Sequence, residues 1–177
     1  MNINEAADRL AIQQLITAWT IGCDQGQILG SVWTEDAVLL PPGGMRIVGR
    51  ENIVARFRGG RYTYTTRDSD VPVTTDAPPI VAPSGANAAT IRHHLTTMQI
   101  ELRDAANATG HIYVLMCGED GLTGSGRYQD RYRKIDDRWY IAERKTRLEY
   151  LPPGERWETI RAVAAADREA SRRGASW

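Results

Sequence analysis

Four stretches between Thr90 and Tyr150 follow one another with only short turn signals between them: "TIRHHLTTMQIEL", "ATGHIYVLMCGED", "TGSGRYQDRYRKI" and "RWYIAERKTRLEYL". The separators are Asp104 to Asn107, Gly118 to Gly121 and Asp136-Asp137, and the stretches themselves are rich in β-branched and aromatic residues. This pattern predicts a meander of long antiparallel strands. A sheet of that size must bury one face, and the chain offers a cover at its other end. From Asn4 to Cys23 apolar residues fall at Ala7, Leu10, Ile12, Leu15, Ile16, Trp19 and Ile21, close to the 3.6-residue repeat of a helix with one buried side.

Between these two ends the sequence predicts a short helix over Gln27 to Trp33. A hairpin follows, with one strand ending at Pro41 and Pro42, a Gly-Gly turn and a second strand at Met45 to Val48. "RENIVARFRG" reads as a helix stopped by Gly59-Gly60. From Arg61 to Ala89 periodicity is lost in a Thr-, Pro- and Asp-rich run, which predicts a long loop over residues 61–89, a lid or binding loop on one reading and a disordered surface insertion on the other. The tail, 153–177, contains helix formers after a Pro-Pro-Gly break and predicts a helix around Glu155 to Arg172. The expectation is therefore one α+β domain over residues 1–152 plus a C-terminal helical tail. Its curved, mixed or antiparallel sheet forms a cone-shaped barrel, with N-terminal helices covering a cavity suited to a small apolar ligand.

Charge and cysteine usage remove several function classes. Lysine plus arginine and aspartate plus glutamate number 22 each, so no net field favours nucleic acid or an anionic membrane. No apolar run approaches the length of a membrane span, and the N-terminus lacks the basic and apolar regions of a secretion signal, so the expectation is a soluble, cytoplasmic protein. Cys23 and Cys117 stand alone, outside any metal-binding spacing, and no metal is expected.

The candidate chemistry rests on few residues. Asp24 lies where the first helix ends. His93 and His94 lie together on a predicted strand, and strict alternation groups His94 with Met98, Ile100 and Leu102 but His93 with Leu95, Thr97 and Gln99. Parity alone thus turns His94 toward the apolar side, unless a bulge shifts the register. A carboxylate bonded to one imidazole nitrogen fixes the tautomer and leaves the other nitrogen to accept a proton. Trp19 and Trp33 are candidate walls for a flat substrate, and Tyr128 is a candidate hydrogen-bond donor. On the last strand Arg144 and Arg147 are candidates to hold an oxygen-bearing group. They fall on opposite faces, so at most one of them enters the cavity, the alternative for each being a solvated or interfacial charge.

"AIQQLITAWTIGCDQGQ", "EDAVLL" followed by "IVGRENIVARF", "HHLTTMQIELRDAANATG" and "YQDRYRKIDDRWYIAERKTRL" together resemble the SnoaL-like branch of the NTF2-like superfamily, from about Asn4 to Tyr150. This branch includes scytalone dehydratase, bile-acid 7α-dehydratase and hexachlorocyclohexane dehydrochlorinase, lyases that need no cofactor. By that resemblance Asp24 and His93 form a catalytic dyad, because Ile100 holds the family's position seven residues beyond the histidine. The chain departs from the pattern at Trp19 and at Leu39 to Pro41, where the dehydratases keep tyrosines. The resemblance implies a cofactor-free lyase of the dehydratase or β-elimination type, acting on a small hydrophobic, cyclic or aromatic molecule. It also implies a homodimer or homotrimer. Two alternatives stay open: an isomerase of the ketosteroid type, and a non-catalytic binding or assembly domain.

Overall fold

The computed structural model describes residues 2–27, 29–77, 91–119 and 121–153. The expected tail helix therefore lies outside the described residues. The first helix, α1, runs Ile3–Asp24, and the Asn2 side chain caps it by accepting a hydrogen bond from the Glu5 backbone N–H at 2.9 Å. Its buried positions, Ile12, Ile16, Trp19, Thr20 and Cys23, make one stripe at helical spacing. Near its start, the Trp139 indole N–H and the Lys134 ammonium both reach Asp8, at 2.9 and 2.8 Å.

A single 3-10 turn at Gly30–Val32 stands where a short helix was expected, and Trp33 already belongs to the first strand. That strand is β1, Trp33–Leu40, followed by β2, Met45–Val48, and the helix α2, Arg50–Arg58. The expected loop begins instead as a hairpin, β3 at Gly60–Thr66 and β4 at Ser69–Ala77. Its side chains are mostly half-buried or exposed on both faces, so the in-out alternation that marks a strand is missing. The remainder of that stretch, 78–90, is outside the described residues.

The long strands are β5, Arg92–Leu102; β6, Asn107–Gly118; β7, Gly121–Ile135; and β8, Arg138–Tyr150. Asp136 and Asp137, with φ of 48° and 60°, close the two-residue turn between β7 and β8, where the hairpin twist requires positive φ. All eight strands form one curved, unclosed sheet in the order β4-β3-β2-β1-β8-β7-β6-β5. It is mixed, because β1 runs parallel to β8 while the other neighbours are antiparallel. The helix α1 packs on β5 and β8 and α2 on β1 to β3, and the core they enclose includes Ile12, Ile16, Trp33, Ile47, Ile112 and Ile141.

Two irregularities decide which side chains face that core. In β5, Leu95 lies opposite Val114 and Met98 opposite Ile112, so three steps on β5 match two on β6. The extra residue at Thr96-Thr97 is a bulge that reverses the alternation, putting His93 and Leu95 on the face of Met98, Ile100 and Leu102. In β8, Tyr132 faces Ile141 and Arg131 faces Glu143, and the skipped residue Ala142 places Ile141 and Arg144 on one face.

Candidate active site

The end of α1 is built to present Asp24 to β5. Gly26 adopts φ +72°, and the N–H of Gln27 reaches back to the Gly22 carbonyl at 2.7 Å. The close return is possible because Gly22 has no side chain; a Cβ there would lie 2.5 Å from the Gln27 oxygen. The turn leaves the Asp24 carboxylate facing the start of β5 and using both oxygens. Oδ2 accepts the His93 backbone N–H at 2.9 Å, and Oδ1 lies 2.6 Å from the His93 Nδ1. Arg92 ties the same junction from outside, donating to the Asp24 carbonyl at 2.8 Å. A carboxylate in this position favours the tautomer with a proton on Nδ1. Nε2 has no hydrogen-bond partner among the described residues. The Asp24 side chain is 10% exposed and the His93 side chain 26%, so the orienting group is covered while the ring stays reachable.

Further along the inner face of the sheet a second polar group is fully enclosed. Arg144 on β8 sits directly opposite Asp130 on β7, and its Nε and Nη2 donate to the two carboxylate oxygens at 2.9 and 2.6 Å. The Tyr132 hydroxyl donates to the same carboxylate at 2.7 Å. The guanidinium lies 4.2 Å from the centre of the Tyr128 ring and 5.9 Å from that of Trp33. Burial works against its charge, but the Asp130 charge and hydrogen bonds outweigh burial and raise its already high pKa further. Nη1 remains buried without a hydrogen-bond partner among the described residues. A buried donor left in that state costs free energy that an acceptor would recover.

Cys23 and Tyr128 link the two polar groups. Burial pushes the Cys23 thiol up to about 12; the positive charge of Arg144 opposes this and the negative charge of Asp24 adds to it. Burial likewise pushes the Tyr128 hydroxyl up to about 12, with Arg144 opposing and Cys23, Asp130 and Asp24 contributing. Both groups thus feel Asp24 and Arg144 together and stay protonated at neutral pH.

Other candidates are placed elsewhere. Trp19 is 4% exposed and packs edge-on against Trp33 and Phe57, each with ring centres 5.1 Å away. It belongs to the core, as does the fully buried Trp33, which also contacts Arg144. His94, expected at the pocket, points to the outer face and is exposed, because the bulge comes after it and turns His93 inward. Arg147 is also on the outer face, opposite Arg127, as alternation from Arg144 dictates. Asp130 was missed as a site residue. The signal was present in "YQDRY", where a period of two puts an aspartate between two tyrosines on one face. Among the described residues no group of three or more His, Cys, Asp or Glu could hold a metal ion, and no helix is long and apolar enough to cross a membrane.

The chain is thus a small α+β protein, a helix-covered, unclosed mixed sheet with an Asp–His pair where α1 meets β5. The SnoaL-like domain model matches residues 4–145, and the chain belongs to that family. No curated protein matches the sequence. Among solved structures, a Mycobacterium tuberculosis protein of unknown function is 22% identical with a TM-score of 0.62, covering 96% of this chain and 92% of its own. A hexachlorocyclohexane dehydrochlorinase from Novosphingobium barchaimii is 22% identical with a TM-score of 0.61, over 88% of this chain and 95% of that one. A proposed scytalone dehydratase from Novosphingobium aromaticivorans is 16% identical with a TM-score of 0.59, over 88% and 93%. At these identities the likeness establishes the shared fold, described for other neighbours as NTF2-like and cystatin-like.

Proposed function

We propose that this protein is a cofactor-independent lyase acting by β-elimination on a small hydrophobic, cyclic or aromatic molecule. The observation that carries the reading is the 2.6 Å contact between Asp24 Oδ1 and His93 Nδ1, with the other ring nitrogen free to take a proton. Asp24 holds the ring and stabilises the imidazolium that forms. His93 removes a proton from carbon, the C–H electron pair becomes the new double bond, and the leaving group departs with its bonding pair. Arg144 stabilises the departing or developing negative charge through Nη1. It does so by hydrogen bonding and charge alone, because a guanidinium does not give up its proton in a protein. The neighbour that eliminates chloride from hexachlorocyclohexane supports this choice of reaction class.

The test is elimination by the purified protein on a panel of chlorinated cyclohexanes and hydroxylated ring compounds, read as released halide or as the absorbance of the new double bond. His93→Gln and Asp24→Asn are then compared with the wild type on whichever substrate turns over. A well-placed general base contributes about 10²–10⁴-fold. His93→Gln is expected to lose that factor in kcat while keeping its circular dichroism spectrum; a variant that turns over at the wild-type rate refutes the reading. An isomerase would use the same base and the same donor. It is distinguished by a shifted double bond without released halide or water.

A further inference from the structure

We propose that Asp130 sets the charge of the molecule the site accepts: an uncharged ligand carrying an oxygen or halogen acceptor docks against Arg144, and carboxylates and other anions are rejected. An exposed arginine would favour the opposite, because its planar fork matches a carboxylate with two parallel hydrogen bonds. Here one edge of that fork is already taken by a carboxylate. Nε and Nη2 are bound to Asp130 at 2.9 and 2.6 Å, and Nη1 is left without a partner among the described residues.

The charges around that donor lead to the same conclusion. The Asp130 side chain is 0% and the Arg144 side chain 2% exposed, so water does not screen the pair, and its two charges offset one another. The Tyr132 hydroxyl gives Asp130 a third hydrogen bond, which holds the carboxylate against the guanidinium. Asp24 adds a second carboxylate. With His93 neutral, as the base role proposed above requires, the site holds two carboxylates against one guanidinium. The Cys23 thiol and the Tyr128 hydroxyl, both protonated, add no charge. Arg92 is the remaining cation bound at this junction; it is exposed and water screens it. A bound anion would add a third negative charge to a buried region in which Asp130 already offsets the guanidinium. A neutral acceptor satisfies Nη1 without that cost.

The experiment uses 4-nitrophenol, whose ionised form is yellow and whose neutral form is colourless, at the pH where the free dye is half ionised and with protein in excess. Wild-type protein is expected to bleach the dye, with at least about a tenfold preference for the neutral form. Asp130→Asn, which leaves the guanidinium charge unbalanced, is expected to turn the bound dye yellow. Yellowing in the wild type, no colour change with the wild type, or a folded Asp130→Asn that bleaches like the wild type would each overturn the proposal. If Asp130→Asn does not fold, the wild-type colour decides whether anions are rejected. Yellowing in the wild type with bleaching in His93→Gln would overturn the proposal by tracing the anion's acceptance to a charged His93, and so to a failure of the base role proposed above.

Discussion

Replacing Asp130 with alanine removes the counter-charge of a guanidinium that water cannot reach. Both partners are almost completely buried, at 0% and 2% exposure, and the pair is made by two short hydrogen bonds, at 2.9 and 2.6 Å. Removing one member of such a pair costs about 3–5 kcal/mol, because the other is left charged and unpaired. Removing both is a different matter, since the energy of desolvating two ions disappears with their attraction. The double replacement Asp130→Leu with Arg144→Met, with Leu39 opposite position 144 on β1, is therefore expected to lie within about 1 kcal/mol of the wild type or above it. It would nevertheless lose the Arg144 donor. Urea unfolding followed by circular dichroism gives all three stabilities, and elimination or dye binding gives the function. A single Asp130→Ala that costs under about 1 kcal/mol, or a double variant as unstable as the sum of its singles, would refute the reasoning that the pair is retained for its chemistry.

Two smaller perturbations follow from the same packing. Gly110 lies opposite Asp130 on β6, and a Cβ there would sit 2.7 Å from the Tyr132 hydroxyl oxygen and 2.8 Å from its ring; Tyr132 is 1% exposed and held by its hydrogen bond. Gly110→Ala should cost about 1–3 kcal/mol in thermal unfolding, and a neutral result would mean that the ring has room to shift. Cys23 is buried with its thiol pushed up to about 12, whereas Cys117 is only half-buried. A thiol reagent at mildly alkaline pH should modify Cys117 first and Cys23 only after denaturant is added, and rapid modification of Cys23 in the native protein would contradict its burial.

What was legible in the sequence depended on whether a local pattern survives the tertiary context. The first helix was readable because its apolar stripe is local. The four long strands were readable because alternation and turn residues agree, down to the two aspartates at positive φ between β7 and β8. The β3–β4 hairpin was not, because its exposed Thr- and Asp-rich strands bury too little for alternation to appear. The inward histidine could not be read from parity. The bulge falls at Thr96-Thr97, two β-branched residues that suit an unbroken strand equally well, and only the partner strand reveals the extra residue. His93 was reached through family resemblance. Asp130, which alternation does place inward, was passed over because its partner is fourteen positions away on the next strand, and such pairing is set by register.

The claim on which the functional account depends is that Asp24 holds the Nδ1–H tautomer of His93 and leaves Nε2 unprotonated. Nitrogen-15 NMR of the histidine-labelled protein, assigned by comparison with His93→Gln and recorded at a pH where the ring is neutral, reads this directly and needs no substrate. The account predicts a protonated Nδ1 and a free Nε2 for His93, converted in Asp24→Asn to the mixed tautomers of an unrestrained imidazole. A proton on Nε2 in the wild type, or a spectrum that Asp24→Asn leaves unchanged, would contradict it.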